Sequence, residues 1–223
     1  MNELIATIAV AALPMIFAIT LHEAAHGYVA RYFGDPTAAQ AGRITLNPVA
    51  HIDLVGTILI PAFLLLISGG KFAFGYAKPV PVNFGRLRHP KQDMFWVAAA
   101  GPFSNLLMAA GWMFLLMHLP NPPVFPFGEA IMTMCFYGVL INLTLMLLNL
   151  LPIPPLDGGR IVVSLLPMKW AIPYARLERY GMLMIVALLF IPANWLGLPG
   201  NSLLSAILSP LLDGGIRLLQ SLF

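Results

Sequence analysis

Long apolar runs limit the folds open to this chain more than any other feature. Two of them extend from Trp96 to Leu119 and from Ile131 to Leu151, and each is close to the ~20 residues that a helix needs to cross a bilayer core. Hydrophobic residues make up 59% of the 223 residues and charged residues only 9%, whereas an ordinary soluble domain has roughly 25% charged residues. The sequence therefore predicts a membrane-embedded protein.

The pattern of apolar segments predicts an all-α polytopic membrane protein, with one domain over residues 1–223 and about five to six transmembrane helices. We place the segments at residues 4–30, 54–68, 95–119, 130–151, 181–197 and 202–222. The first has no basic leader and no clear cleavage site, so we expect it to be retained.

The region near 54–83 is expected to depart from a simple transmembrane helix. Segment 54–68 would span only about 22 Å of the roughly 30 Å core and contains Pro61, which favours a re-entrant or tilted element. Residues 75–83 alternate proline and valine, which predicts extended chain.

The basic residues predict membrane orientation. The net charge is +3, but the Lys and Arg residues are scattered over loops, a pattern that argues against a nucleic-acid partner. They cluster in 71–91 and 160–179 and are absent from 120–129 and 198–201. The positive-inside rule places the first two loops in the cytoplasm, and with them the proline-rich turn after Leu151.

The sequence His22-Glu23-Ala-Ala-His26 is the strongest chemical signal. At about 100° per residue, the two imidazoles lie on one helical face and can bind one ion, which leaves Glu23 free as a general base. A bound zinc would lower the pKa of its water to about 7. The alternative is a chance match whose histidines only make hydrogen bonds, but burying three ionisable groups in an apolar helix is costly without such a role.

A third ligand must be a histidine or a carboxylate, because the single cysteine, Cys135, cannot build a thiolate site. The best candidate is Asp157, in the sequence NLLPIPPLDGGR at the predicted cytoplasmic end of segment 130–151. An ordinary turn with a capping aspartate is the alternative. A second LDGG contains Asp213 but lacks the asparagine eight residues earlier and keeps one preceding proline, so we interpret Asp213 as a turn or cap residue.

His51 and Asp53 are a weaker candidate pair for a second metal. The adjacent Asn47-Pro48 marks a turn, where polar groups more often fix a loop than bind an ion. We therefore expect a structural role for both side chains.

Several separated motifs together resemble the site-2 protease family. They are HEAAH at 22–26, GPFSN at 101–105 and NLLPIPPLDGGR at 149–160, with LNPVAHID at 46–53 and KPVPVN at 78–83 typical of a compact prokaryotic branch. The resemblance covers most of the chain, and we expect neither a PDZ-like nor a CBS-like domain in it.

The resemblance implies an intramembrane zinc metalloendopeptidase that cleaves transmembrane segments of membrane proteins. It carries His22, His26 and Asp157 to the ligands of one Zn²⁺ per chain, and Glu23 to the catalytic base. The implied partners are a transmembrane protein or peptide substrate and the lipid bilayer. The implied location is the prokaryotic cell (inner) membrane, with a multi-pass chain and an active site toward the cytoplasm.

Substrate contacts are expected from two further regions. The resemblance places Asn149 near the substrate carbonyl, where it could donate to the oxyanion or instead join two helices; Asn105 is interpreted mainly as core packing and as a weaker substrate candidate. Lys78, Val80 and Val82 could pair with an unwound substrate strand or belong to a rigid loop. The rival functions are a transporter or channel and a proteolytically silent relative that binds membrane proteins.

Overall fold

The computed structural model describes residues 2–67, 75, 77–120 and 126–223, and this part of the chain is helical without any β-strand. Its α-helices are α1 (Asn2–Tyr32), α2 (Thr37–Gln40), α3 (Ile60–Ile67), α4 (Pro90–His118), α5 (Gly128–Asn149), α6 (Asp157–Leu165), α7 (Met168–Ala175), α8 (Glu178–Phe190) and α9 (Leu203–Gln220). Short 3₁₀ helices cover Pro48–His51, Phe84–Arg86 and Ala193–Leu196, and a π-helix covers Leu54–Leu59.

Four helices in the described residues are long and apolar enough to cross a membrane, which confirms the all-α polytopic prediction. They are Ala6–Tyr32 within α1, and α4, α5 and α9 in full. The two other predicted segments are also helical but short, with 8 residues in α3 and 13 in α8. At about 1.5 Å per residue neither reaches across a ~30 Å core alone.

The transmembrane helices pack through small and apolar side chains. Helices α1, α4 and α5 contact one another, α9 packs on α5, and α6 packs on α4. One buried cluster joins α4, α5 and α9 through Ala109, Met113, Val139, Leu143 and Leu219. A Cβ at Gly138 would lie 2.4 Å from the Trp112 ring, so α4 and α5 approach closely because residue 138 is glycine.

The proline-rich turn after α5 sets the start of α6. Helix α5 ends at Asn149 and α6 begins at Asp157, as expected from prolines that cannot continue a helix. A Cβ at Gly158 would lie 2.2 Å from the Leu150 carbonyl oxygen, and one at Gly159 would lie 2.3 Å from the Pro154 nitrogen. Glycine at both positions therefore lets the turn fold directly onto the first residues of α6.

The region from 54 to 83 contains the irregular chain that the sequence predicts. The π-helix Leu54–Leu59 continues directly into α-helix at Ile60, so Pro61 lies inside a continuous helical segment, where its missing N–H removes one backbone hydrogen bond. Residues 77–83 form no helix or strand, in agreement with the expected extended chain. Residues 68–74 and 76, with the basic Lys71, lie outside the described residues.

Candidate metal centre

Three side chains from two separate elements meet at one buried point. His22 and His26 come from α1, and Asp157 is the first residue of α6. Asp157 Oδ2 lies 3.2 Å from His22 Nε2 and 3.3 Å from His26 Nε2, and the two Nε2 atoms are 3.1 Å apart. All three side chains are buried, so the sequence-predicted triad is brought together away from solvent.

Hydrogen bonds at the far side of each imidazole define its tautomer. His22 Nδ1 lies 2.6 Å from Asn105 Oδ1, and His26 Nδ1 lies 2.7 Å from the Val97 carbonyl oxygen. Both partners only accept, so both Nδ1 atoms carry the hydrogen. The two Nε2 lone pairs therefore point toward Asp157, which is the arrangement that metal-ligating histidines usually show.

The spacing of the three atoms fits a tetrahedral metal ion. Ligands about 2.0–2.1 Å from a tetrahedral zinc are separated from one another by roughly 3.3 Å, close to the 3.1–3.3 Å observed among these atoms. Asp157 Oδ2 is buried without a hydrogen-bond partner. Within the described residues, this is the group of three ligand side chains that could hold a metal ion.

The charge state of Asp157 suits a ligand. Burial alone would raise the pKa of this carboxyl, but a proton on His26 or His22 beside it brings the pKa well below its ordinary value. The carboxylate therefore stays ionised at neutral pH.

One face of α4 lies directly against the two imidazoles. Val97, Gly101 and Asn105 are four residues apart, so they lie on one helical face. A Cβ at Gly101 would lie 2.5 Å from His26 Nε2 and 2.6 Å from His22 Nε2. Our sequence analysis missed the role of Gly101, although the four-residue spacing is a signal that could have suggested it.

Asn105 has a more direct role than the core packing we predicted. It is 0% exposed, and its amide nitrogen donates to the Ala18 carbonyl at 3.2 Å and to Asn142 Oδ1 at 3.0 Å. Asn142 in turn donates to the Gly138 carbonyl at 2.8 Å. This chain of bonds directs the Asn105 oxygen at His22 and connects α1, α4 and α5.

Glu23 lies beside the triad and is held by the extended segment. Its Oε2 accepts a hydrogen bond of 2.7 Å from the Val80 backbone N–H. The same segment is fixed by the Lys78 N–H, which donates to the His51 carbonyl at 3.0 Å, and by Arg43, which donates to the Lys78 carbonyl at 2.7 Å. Sequence reasoning did not find the contact between Val80 and Glu23.

The other predicted residues make contacts within their own helix or loop, or are exposed. Asn149 donates to Leu145 within its own helix at 3.0 Å, and Asp213 is exposed on α9. His51 Nε2 lies 3.1 Å from the Thr45 carbonyl, and Asp53 accepts from the Val55 and Gly56 N–H groups. The described residues thus place His51 and Asp53 in loop contacts and not in a second cluster.

Val82 lies farther along the extended segment. It packs beside a small buried cluster formed by Ala30, Leu87 and Val97. Its side chain therefore contributes to the packing of this segment on α1 and α4.

Fold and site together define a multi-pass membrane protein with a buried cluster of two histidines and one aspartate whose ligand atoms are close enough together to hold one metal ion. Comparison with known proteins agrees with this class. A sequence model of Peptidase family M50 matches residues 123–192. No solved structure matches the chain at a significant level.

Two curated relatives extend the comparison over most of the chain. The chain is 38% identical over 212 residues to the "Putative zinc metalloprotease YwhC" of Bacillus subtilis (strain 168), covering 94% of this chain and 88% of that protein. It is 30% identical over 178 residues to the "Putative zinc metalloprotease Rip2" of Mycolicibacterium smegmatis, covering 80% of this chain and 65% of the relative. The chain belongs to peptidase family M50, the site-2 protease family.

Proposed function

We propose that this protein is an intramembrane zinc metalloendopeptidase that hydrolyses peptide bonds within or near transmembrane segments of membrane-protein substrates. The observation that carries the proposal is the convergence of His22 Nε2, His26 Nε2 and Asp157 Oδ2 at 3.1–3.3 Å. Glu23 stands next to these atoms on the same helix. Membership of family M50 and the names of its relatives support a zinc-dependent protease.

Each residue of the site has a chemical task in this proposal. His22, His26 and Asp157 would hold the zinc through their Nε2 and Oδ2 atoms. Bound zinc supplies a water of lowered pKa and polarises the scissile carbonyl. Glu23 would take the proton of the attacking water and deliver it to the leaving amine, while the Val80 N–H holds one carboxylate oxygen in place.

The extended segment 77–83 is the proposed place of substrate contact. The N–H groups of Lys78 and Val80 already bind the protein itself, and Pro79 and Pro81 have no N–H. A substrate strand beside Lys78, Val80 and Val82 would therefore be held by carbonyl oxygens of the segment and by the exposed side chain of Lys78, since Val80 is buried and Val82 is half-buried. Such contacts would offer acceptors to the backbone N–H groups that an unwinding helix gives up.

Asn149 is the proposed donor to the oxyanion, a role that Asn105 cannot share because its amide is committed to Ala18 and Asn142. The Asn149 amide hydrogen-bonds along its own helix, and a second hydrogen on the same nitrogen is available for a substrate carbonyl. We also propose that the site faces the cytoplasm, because the basic loop 160–179 follows Asp157 directly.

Cleavage of a model transmembrane peptide by purified protein in detergent or lipid tests the proposal. Glu23→Gln is expected to keep its zinc and to lose about 10²–10⁴-fold in cleavage rate, the usual contribution of a general base. Glu129→Gln is the matched control, because Glu129 is an exposed glutamate in the first turn of α5. Cleavage should be unchanged in this control.

Two results would overturn the proposed function. Zinc-loaded wild type that cleaves no transmembrane peptide, with Glu23→Gln behaving identically, would favour a silent binding protein. Ion or solute transport by a protein that binds no zinc would favour the transporter.

A further inference from the structure

Helix α7 presents apolar side chains on its outer surface. Ala171 is buried, whereas Met168, Trp170 and Ile172 are 62%, 58% and 51% exposed, and Leu165 just before them is 68% exposed. A surface helix of a soluble protein directs such residues toward the core. An apolar outer face on a short helix between transmembrane elements is the arrangement of a helix that lies in a membrane interface.

The same surface carries a cationic and aromatic belt. Lys169, Arg176 and Arg179 are exposed, and Glu178 is the one acidic residue between Asp157 and Asp213 in the sequence. The Lys169 ammonium lies 5.6 Å from the centre of the Trp170 ring, and the Arg179 guanidinium lies 4.6 Å from that of Tyr180. Cations with adjacent Trp and Tyr are suited to the headgroup level of a bilayer.

A short chain connection and two hydrogen bonds link this surface to the turn before Asp157. Helix α7 begins three residues after α6 ends, and α6 begins at Asp157. Tyr174 on the inner side of α7 donates its hydroxyl to the Pro152 carbonyl. Lys91 of α4 donates to the Leu166 carbonyl, at the junction of α6 and α7.

Helix α8 supports the same loop from another side. A Cβ at Gly181 would lie 1.7 Å from the Pro154 carbonyl oxygen, so the loop and α8 are in direct backbone contact. The turn before Asp157 is therefore enclosed by α6, α7 and α8. A displacement of α7 or of the start of α8 would shift this turn and, with it, the Asp157 side chain.

We propose that the outer surface of residues 165–180 binds the headgroups and upper chains of anionic phospholipids, and that this contact braces the loop holding Asp157. The positive charge selects the anionic lipid, and the exposed apolar side chains accept the acyl chains. The lipid contact itself does not depend on proteolysis; the bracing of Asp157 rests on the proposed function.

Quenching of Trp170 by brominated lipids measures the contact directly. The protein carrying Trp96→Phe, Trp112→Phe and Trp195→Phe retains one tryptophan and is reconstituted in nanodiscs. Brominated phosphatidylglycerol and brominated phosphatidylcholine are compared at equal mole fraction. Trp170 should be quenched preferentially by phosphatidylglycerol, and the preference should fall by about fivefold for each cation removed, since each contributes about 1 kcal/mol near an anionic surface.

A pair of double variants gives the matched control. Lys169→Gln with Arg176→Gln removes two charges from the proposed surface, and Arg31→Gln with Arg217→Gln removes two exposed charges elsewhere. The first pair should reduce the preference by about 25-fold, with the contribution of Arg179 remaining, and the second should keep it. If the tryptophan substitutions prevent folding, native mass spectrometry of lipids bound to protein with all four tryptophans makes the same comparison.

Equal quenching by the two lipids in the protein with its cations intact would overturn the proposal. An acidic protein would then be the alternative partner for the surface of residues 165–180. An undiminished preference in Lys169→Gln with Arg176→Gln would also overturn it.

The bracing of Asp157 has its own measurement. Zinc should leave the protein for a chelator more slowly in phosphatidylglycerol than in phosphatidylcholine, and Lys169→Gln with Arg176→Gln should remove this difference. Equal rates of zinc loss in both lipids would refute the bracing while leaving the lipid contact intact. A protein that holds no zinc in either lipid would instead contradict the proposed function. The quenching experiment would still test the lipid contact independently.

Discussion

The tetrapeptide Leu-Asp-Gly-Gly occurs twice in this chain, at 156–159 and at 212–215, and its two copies have opposite surroundings. Asp157 is 5% exposed and faces two imidazoles, whereas Asp213 is exposed on α9. A Cβ at Gly158 would lie 2.2 Å from a backbone oxygen, whereas one at Gly214 would meet nothing within 4 Å.

The difference between the copies originates upstream of them. Three prolines at 152, 154 and 155 end α5, so the first copy opens a new helix. The single Pro210 lies inside α9, and the second copy simply continues that helix. The same four residues therefore build a ligand loop in one place and a helix surface in the other, because the preceding chain decides which backbone they adopt.

Alanine at the glycines should separate the copies by stability. Gly158→Ala or Gly159→Ala should lower the free energy of unfolding by about 3 kcal/mol, because the added methyl overlaps backbone atoms that cannot move freely. Gly214→Ala should raise it by about 0.5–1 kcal/mol, as alanine usually does within a helix. Thermal unfolding in detergent measures both, and equal shifts at 158 and 214 would break the comparison.

A second pair of glycines tests the approach of α4 to the imidazoles. Gly101→Ala would place a methyl 2.5 Å from His26 Nε2, so zinc affinity should fall about a hundredfold, at the upper end for disturbed supporting groups. Gly111, on the same helix with nothing within 4 Å of its Cβ position, is the control, and Gly111→Ala should leave the affinity unchanged. Zinc competition with a chelating dye measures both variants.

Two asparagines should differ in whether their substitution affects zinc affinity or the cleavage rate, and the expected change in zinc affinity is smaller than at Gly101. Asn105→Ala removes the acceptor of the His22 Nδ1 hydrogen, and zinc affinity should fall about tenfold. Asn149→Ala should keep its zinc and slow cleavage by about 10²–10³-fold if Asn149 donates to the oxyanion. Zinc content and cleavage rate measured on the same samples separate the two roles, and loss of zinc in Asn149→Ala would contradict this assignment.

Asp35 shows that burial of an aspartate does not by itself make a ligand. It is 0% exposed, but its oxygens accept from Thr37 and from the Asn83 N–H at 2.6 Å. Burial alone would raise the pKa of Asp35, whereas these hydrogen bonds, first those of Thr37, bring it below the ordinary value of 3.8.

The pH dependence of Asp35 follows from that sign. Its stabilisation is present above the unfolded pKa of 3.8 and is lost as the pH falls through the lower folded value. Asp35→Asn should cost about 1 kcal/mol at neutral pH, the difference from wild type should shrink in acid, and zinc should be retained. Unfolding followed across pH checks this, and a constant difference down to acid would contradict it.

The sequence predicted the parts of the molecule that depend on local pattern. All six apolar segments are helical, the prolines before Asp157 end α5, and the two histidines of α1 share one face. It chose Asp157 over Asp213 from the preceding prolines and asparagine, and the structure brings Asp157 to the histidines.

Contacts between distant helices could not be predicted in the same way. The approach of Gly101 to the imidazoles depends on how α1 and α4 cross, and the bond from Val80 to Glu23 depends on how an irregular segment returns to α1. The contact from Val80 to Glu23 leaves no periodic signal within one element, and the spacing of Val97, Gly101 and Asn105 indicates a shared helical face but not the side chains that this face meets. The sequence did not predict the apolar outer face of α7 for the same reason, because tertiary packing decides which face of that helix is buried.

The most direct measurement of the central claim is the zinc content of purified wild type, Asp157→Ala and Asp213→Ala, with transmembrane-peptide cleavage assayed on the same samples. We predict one zinc per chain in wild type and Asp213→Ala, none in Asp157→Ala, and cleavage that follows the zinc. Loss of zinc in Asp213→Ala with retention in Asp157→Ala would contradict the assignment of the third ligand and the packing described for α6 and α9.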